Sequence, residues 1–458
     1  MTEENVEEPP LSPAARLFQM PSTELCIIAM IGFRTKINPD VILDDLKHYV
    51  SKHLRFCSKL SDNGERWIKT QVNVDDHVVA PDIDPQEIKE DGQSFLDDYV
   101  SRLTMIPFDR SRPLWDIHIL NVKTSDAEAV GVVRCHHSLG DGMSLMSLLV
   151  ACTRKSSNPE AFPTIPAIER RDPYHLRNKG HLLRSIFAIF SYVELIWNTI
   201  VDVLQTLASV LFLNDTEIPL RRVKNNPQRF CHRTVSLDDI KLIKNTMNMT
   251  VNDVLLGVIQ AGLSRYLNGR YGNADAEGRT SDQNNHSDKI RLPAGIAVNL
   301  RQEIGIQPVG NMLAKDSKCR WGNYVSAVHF PLSISLKTDP LVNLSKTKFI
   351  MDRKKHSLSA YLFYLTQEFT VNTFGPKVGE VVFKHIGSNT TAFVSNIVGP
   401  VEKVSLHGNE IAYIALSCYG NGRGHARIVG TFRKLCGEVD YFHRGGSNIH
   451  TRSSQSLL

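Results

Sequence analysis

The sequence predicts an α/β protein of two domains. Its 458 residues exceed what one ordinary hydrophobic core accommodates. Short apolar runs of strand character alternate with segments whose apolar residues recur at helical spacing. A polar, proline-containing stretch, residues 154–180, interrupts the pattern and reads as a linker.

After an acidic start, Pro10-Leu11-Ser12-Pro13 forms a rigid lead-in, and Cys26–Phe33 reads as a strand. Asn38-Pro39-Asp40 caps a helix running to about Lys52, with Val41, Leu43, Leu46 and Val50 at helical spacing. Ile117–Leu120 and Ala129–Cys135 are further strands, and Met143–Cys152 is a helix whose predicted N-cap is Asp141. A second domain begins near Phe230. Thr250-Val251-Asn252-Asp253 leads a helix over Val254–Leu267, followed by a polar loop at 268–289. Strands are expected at Arg291–Leu300, Val325–Leu332 and Thr391–Val398. The predicted division is therefore 9–155, a linker at 156–225, a second domain at 226–420 and a basic tail at 421–458.

The linker contains a mostly apolar helix at 182–213. Its polar residues, Ser191, Glu194, Asn198, Asp202, Gln205 and Ser209, are spaced three or four apart and fall in one narrow stripe. Three placements fit: a crossover helix packed on both domains, a helix lying in a membrane interface, or a single span. Basic residues flank it (Arg177, Lys179, Arg184; Arg221, Arg222, Lys224), which suits anionic lipid. Asp202 near the middle of a span would cost about 2.5–3.5 kcal/mol, so membrane association is favoured over spanning.

Composition narrows the function classes. Hydrophobic content of 42% with 22% charged residues is that of a globular chain. The net charge is +5, of which the tail from Asn421 carries +4 (six Arg/Lys against Glu438 and Asp440). A body so nearly neutral gives no reason to expect a nucleic-acid partner. The eight cysteines are scattered without metal-ligand spacing, so no metal is expected and a reducing compartment or cytosolic face fits. The acidic Met1–Glu8 lacks a signal-peptide pattern.

The candidate site is His136-His137-Ser138-Leu139-Gly140-Asp141-Gly142. An alternating strand ends in a histidine pair, a glycine-containing turn follows, and Asp-Gly opens an apolar helix. Histidine is the side chain best suited to take a proton near neutral pH. A lone histidine there would read as a structural strand end; the adjoining Asp-Gly at fixed spacing favours a functional one. His137 is the candidate base, with Asp141 four residues on as its structural partner. His136 points to the other face and shapes the turn. Arg301, just after the second-domain strand, is the candidate partner for Asp141. Cys135 reads as a small core residue, and no Gly-x-Ser-x-Gly hydrolase elbow is present.

His-x-x-x-Asp is the signature of CoA-dependent acyltransferases of the chloramphenicol-acetyltransferase-like fold. The longer His-His-x-x-x-Asp-Gly form resembles the wax ester synthase/diacylglycerol acyltransferase family, particularly its plant-type members. Pro10-Leu11-Ser12-Pro13, Pro113-Leu114-Trp115, Asn252-Asp253, Val298-Asn299-Leu300-Arg301 and Ser395-Asn396-Ile397-Val398-Gly399-Pro400 match further family segments in order, over about residues 9–420. The resemblance implies two chloramphenicol-acetyltransferase-like α/β domains with mixed sheets, meeting at a tunnel with His137 at the junction. It implies acyl-CoA as co-substrate, no metal or prosthetic group, and a fatty alcohol or diacylglycerol as acceptor. It implies work at the cytosolic face of the endoplasmic reticulum membrane, with the plasma membrane as the alternative.

In that frame Pro113, Leu114 and Trp115 shape the acyl pocket, and Ser395 and Asn396 contact substrate. Asn252 caps its helix, with a substrate role as the minority reading. Asn299 either donates to the substrate or closes a turn. Family members continue past Ala412–Ala415 into further strands and a closing helix; here Gly, Arg and Ser dominate, so the second sheet is expected to lack an edge. The competing functions are acyl transfer to a small soluble acceptor and a catalytically impaired lipid- or CoA-binding form.

Overall fold

A computed structural model describes residues 10–445 except 51–52, 85, 87, 89–90, 165–180, 213–228, 273–289, 302–319, 335–338, 401, 421–427 and 436–437. Most of the predicted linker around the long helix, its flanking basic residues Arg177, Lys179, Arg221, Arg222 and Lys224, and the chain after 445 lie outside the described residues.

In the first half, α1 (Pro13–Leu17) precedes β1 (Cys26–Phe33), α2 (Pro39–Tyr49) and a small hairpin of β2 (Ser58–Leu60) and β3 (Trp67–Lys69). Then come β4 (Val78–Val79), α3 (Gly92–Leu103), β5 (Trp115–Leu120), β6 (Ala129–His136), α4 (Gly142–Cys152) and β7 (Arg154–Lys155). The long helix α5 (His181–Leu211) leads to β8 (Arg229–Ser236), α6 (Leu237–Thr246), α7 (Val251–Gly272), β9 (Arg291–Asn299) and β10 (Val325–Ser333). Three helices follow: α8 (Pro340–Lys355), α9 (Ser359–Phe374) and α10 (Pro376–Ser388). The chain closes with β11 (Ala392–Val398), β12 (Val404–Leu406), β13 (Asn409–Tyr419), β14 (Ile428–Leu435) and β15 (Glu438–Gly445). Helix α2 ends three residues before the expected Lys52, with Asn38 as its cap.

Two mixed sheets carry the fold. One runs β4-β5-β6-β1-β13-β12-β7 and the other β10-β9-β11-β14-β15-β8. Every residue of β1 is buried, because it sits centrally between antiparallel β6 and β13. This explains its unbroken apolar run, which lacks the alternation of a half-exposed strand.

Two sequence expectations about domain limits are corrected. First, β12 and β13 belong to the first sheet, although the predicted second domain ran to residue 420: Met30 of β1 pairs with Ala415 of β13. The two halves are thus interlocked by a strand crossing back. Gly32 permits it, since a Cβ there would sit 2.2 Å from the Tyr413 ring. Second, the tail is not outside the fold. Strand β14 pairs in parallel with β11, and β15 pairs with β8. The sheet expected to lack an edge is continued by them, because backbone pairing is indifferent to a Gly- and Arg-rich composition.

The long helix also differs in orientation from an ordinary surface helix. Of its polar stripe, Asn198, Asp202 and Ser209 are buried against the protein. Asp202, 1% exposed, takes Lys354 at 2.9 Å and Arg353 at 3.0 Å, both from α8. The apolar side faces outward.

Candidate active site

The site is built where β6 ends. His136 N donates to the Leu114 carbonyl at 2.9 Å, the last ladder bond, and His137 N donates to the Leu25 carbonyl at 2.9 Å. The chain then turns, with Leu139 N bonded back to the His136 carbonyl. Asp141 begins α4 as its N-cap, accepting from Ser144 N at 3.0 Å. The strand-turn-helix read from the sequence is thus present, and a cap of this kind contributes about 1 kcal/mol.

What the sequence did not reveal is that the second half of the chain clamps this turn. Trp321 Nε1 donates to the Leu139 carbonyl at 2.8 Å, the Asp141 amide donates to the Gly322 carbonyl at 3.2 Å, and the Tyr324 amide donates to Asp141 Oδ2 at 3.0 Å. Gly322 has φ +136, a backbone state that side chains rarely adopt, so glycine is required at the centre of the clamp. Asn323 contacts the candidate base itself. Its Nδ2 donates to the His137 carbonyl at 2.9 Å, which turns Oδ1 toward His137 Nδ1, also at 2.9 Å. Nδ1 must then carry the proton, leaving Nε2 as the unprotonated nitrogen. His137 is 7% exposed and lines the cavity. Burial pushes its pKa below the ordinary histidine value, against opposing pulls from Asp141 and Asn323. The ring is therefore neutral at pH 7.

His136 faces the opposite way, as expected. Its Nδ1 accepts from the Ser138 amide at 3.2 Å and lies 2.7 Å from the Ser138 hydroxyl. Burial is the main cause that brings its pKa down to about 3.

Arg301 meets Asp141 through a two-pronged contact: Nη1 to Oδ2 at 2.7 Å and Nη2 to Oδ1 at 3.1 Å. Its other donors reach the Ser144 hydroxyl, the Gly322 carbonyl, the Arg320 carbonyl and Asn299 Oδ1. Asn299 thus spends its amide oxygen orienting Arg301, although it also lines the cavity.

A cavity of about 1310 Å³ runs between the sheets. It holds His137, Asp141 and Gly142 together with Trp115, Asn299, Ser395 and Asn396. Its walls are largely aliphatic and aromatic, as hydrocarbon requires. Three of the candidate substrate-group residues, Pro113, Leu114 and Asn252, do not line it. Pro113 and Leu114 lie behind Trp115 in the core, where Leu114 helps close the β6 ladder. Trp115 alone of the three reaches the cavity, its indole fixed by the Phe56 carbonyl at 3.0 Å and stacked on His77. Asn252 bonds Asn396 instead of capping. The cap is Thr250, whose hydroxyl accepts from Asp253 N at 3.3 Å while Asp253 Oδ2 accepts from Thr250 N at 2.8 Å. At Gly142 an added Cβ would lie 2.4 Å from Ile397 Cδ1, so glycine lets β11 come against the start of α4.

His53 was also missed. It lines the cavity on the face of Trp321, with ring centroids 4.3 Å apart, and burial lowers its pKa to about 4. Nothing in its surroundings in the sequence marks it, whereas Trp-Gly-Asn just ahead of a predicted strand was a legible turn. Among the described residues no group of three His, Cys, Asp or Glu side chains is placed to hold a metal.

Residues 57–255 match the wax ester synthase/diacylglycerol acyltransferase catalytic domain, and residues 321–432 match the WS/DGAT C-terminal domain. The chain is 66% identical over 437 residues to wax ester synthase/diacylglycerol acyltransferase 10 of Arabidopsis thaliana, covering 92% of this chain and 90% of that one. The chain belongs to the wax ester synthase/diacylglycerol acyltransferase family. A second member of the family from Arabidopsis thaliana, number 7, is 56% identical, with coverage of 92% and 89%. The solved wax ester synthase/diacylglycerol acyltransferase from Marinobacter aquaeolei VT8 shares the fold at 17% identity and a TM-score of 0.54, covering 96% of this chain and 93% of that one. The two-domain, mixed-sheet fold expected from the motif is therefore that of this wax ester synthase/diacylglycerol acyltransferase family member. Its C-terminal-domain match begins at Trp321, the first residue of the clamp on the histidine turn.

Proposed function

We propose that this chain transfers a long-chain acyl group from acyl-CoA to a fatty alcohol or a diacylglycerol, yielding a wax ester or a triacylglycerol and free CoA. The observation that carries this reading is the orientation of His137: Nδ1 is engaged by Asn323, and Nε2 is left for a substrate hydroxyl beside an apolar cavity. Nε2 takes the acceptor proton as the oxygen attacks the thioester carbonyl. The tetrahedral intermediate collapses with cleavage of the C–S bond, and the proton passes from Nε2 to the departing thiolate. Acyl-CoA is a co-substrate, and the chemistry calls for no prosthetic group or metal. Asp141 and Arg301 hold the turn; Ser395 and Asn396, on the cavity wall, contact the substrate. A general base supplies a factor of about 10²–10⁴, so positioning in the cavity must supply the rest.

The cavity's apolar walls favour a lipid acceptor over a small soluble one, and continuation of the second sheet by β14 and β15 speaks against an impaired form. The outward apolar face of α5 supports a membrane-lipid partner and work at the cytosolic face of the endoplasmic reticulum, the plasma membrane being the alternative. Labelled palmitoyl-CoA with hexadecanol or diolein, assayed beside His137→Ala, tests the reading. Wild type should form ester, and the variant should lose about 10²–10⁴ in rate. Equal rates would remove His137 from the chemistry.

A further inference from the structure

The outer surface of α5 is not merely apolar; it runs to a thin place in the cavity wall. The first half of the described helix, from Ser185 to Trp197, is exposed on nearly every side, with Phe190, Tyr192 and Trp197 each about two-thirds exposed. Its second half keeps Leu204, Leu207 and Leu211 outward while Thr206, Ser209 and Val210 line the cavity. Helices α9 and α10 repeat the arrangement. Leu365 and Phe369 on α9, and Val378 and Val381 on α10, face outward, whereas Phe363, Gln367, Phe383 and Ile386 line the cavity. Val382 does both: it is 41% exposed and lines the cavity.

Between α5 and α10 the wall is closed by side chains and by one backbone carbonyl. Val210 O, in the last turn of α5 where helix carbonyls lack internal partners, accepts from His385 Nε2 at 2.9 Å and Asn389 Nδ2 at 3.0 Å. Elsewhere the helix is secured by the buried Asp202 cluster. The seam is therefore the weakly tied end of a firmly tied helix. Exposed lining residues also cluster away from this seam, at Cys152, Pro159, Phe162, His407 and Gly408.

We propose that the lipid acceptor enters the cavity sideways from a bilayer resting on α5, α9 and α10, through the seam between α5 and α10 at Val210 and Val382. The proposal rests on the acyl-transfer reading for the identity of its cargo. The occupant of the outer surface is a bilayer and not a second protein, because the apolar surface continues into an apolar cavity, as a path for hydrocarbon must.

Full-length protein would be mixed with phosphatidylcholine/phosphatidylserine vesicles containing a photoreactive diacylglycerol, irradiated, and its labelled residues mapped by mass spectrometry. Labels should fall on Thr206, Val382 and Ile386 at the seam and on Met143 or Leu416 inside. Val382→Trp should plug the seam: vesicle flotation persists, and interior labelling falls to background. Val382→Ala, a control for folding, should keep both. Labelling confined to Cys152, Phe162 and His407, or interior labelling unchanged in Val382→Trp, would overturn the seam. Esterification of hexadecanol by the same wild-type sample is scored separately. Its absence would count against acyl transfer while leaving the route of lipid entry measurable.

Discussion

His137 and Asn323, 186 residues apart in the chain, hold each other by two hydrogen bonds of 2.9 Å. One fixes which ring nitrogen bears the proton, and the other fixes the backbone from which the ring hangs. The two halves of the protein thus meet at the base itself.

Replacing Asn323 by Ala should cut kcat while leaving KM within a few-fold, because the ring loses its tautomer lock and not its substrate. A displacement of about 1 Å costs on the order of 10² in rate. Asn323→Asp should also move the acid limb of the kcat–pH profile upward, since a carboxylate beside Nδ1 favours the protonated ring. An unshifted limb would show that Asn323 is merely structural.

Arg301→Ala should destabilise the fold by about 3–5 kcal/mol, because it strands the buried Asp141 carboxylate. The Arg301 and Asp141 side chains are only 2% and 5% exposed, so water cannot substitute. Arg301→Lys keeps the charge but not the fork and should fall between. Urea denaturation measures all three proteins, and wild-type stability in Arg301→Ala would contradict this role.

Acid should unfold the protein earlier than its carboxylates alone predict. His53 and His136 have folded pKa values near 4 and 3, and that of His137 is also lowered. The unfolded chain binds these protons first, near pH 6.5, so stability is full above that value and falls as pH drops toward the folded values. For His53 alone the loss is about 3 kcal/mol at 1.36 kcal/mol per unit. Stability measured from pH 7 to 4 should decline, and His53→Phe should flatten the slope.

The two faces of α5 should respond oppositely. Asp202→Ala leaves Lys354 buried and unpaired, at a cost of about 3–5 kcal/mol in stability. Phe190→Ser with Trp197→Ser should leave stability within about 0.5 kcal/mol per site, yet release the protein from vesicles in flotation. Each aromatic lost from the lipid contact removes about 1.5–3 kcal/mol. Flotation equal to wild type would argue against a bilayer on this face.

Much of this site was legible in the sequence. The histidine pair, the Asp141 cap and the Arg301 partner all lie where spacing and charge placed them. Pro113 and Leu114 as pocket residues and Asn252 as a helix cap are both corrected, because motif membership does not say which side of a strand or helix faces a cavity. Asn323, Trp321 and His53 went unread because their importance comes from what they touch across long stretches of chain.

Local order alone specified the elements that depend on neighbours a few residues away: the strand ending at His136, the capped helix after it, and the single polar stripe of α5. Tertiary structure alone decided that Asn198, Asp202 and Ser209 of this stripe turn inward, since the cations of α8 make a buried Asp202 tolerable. It decided likewise that β13 returns to the first sheet and that β14 and β15 extend the second. Strand pairing is chosen by which backbone edge is open in the folded molecule, and no short window of sequence carries that information.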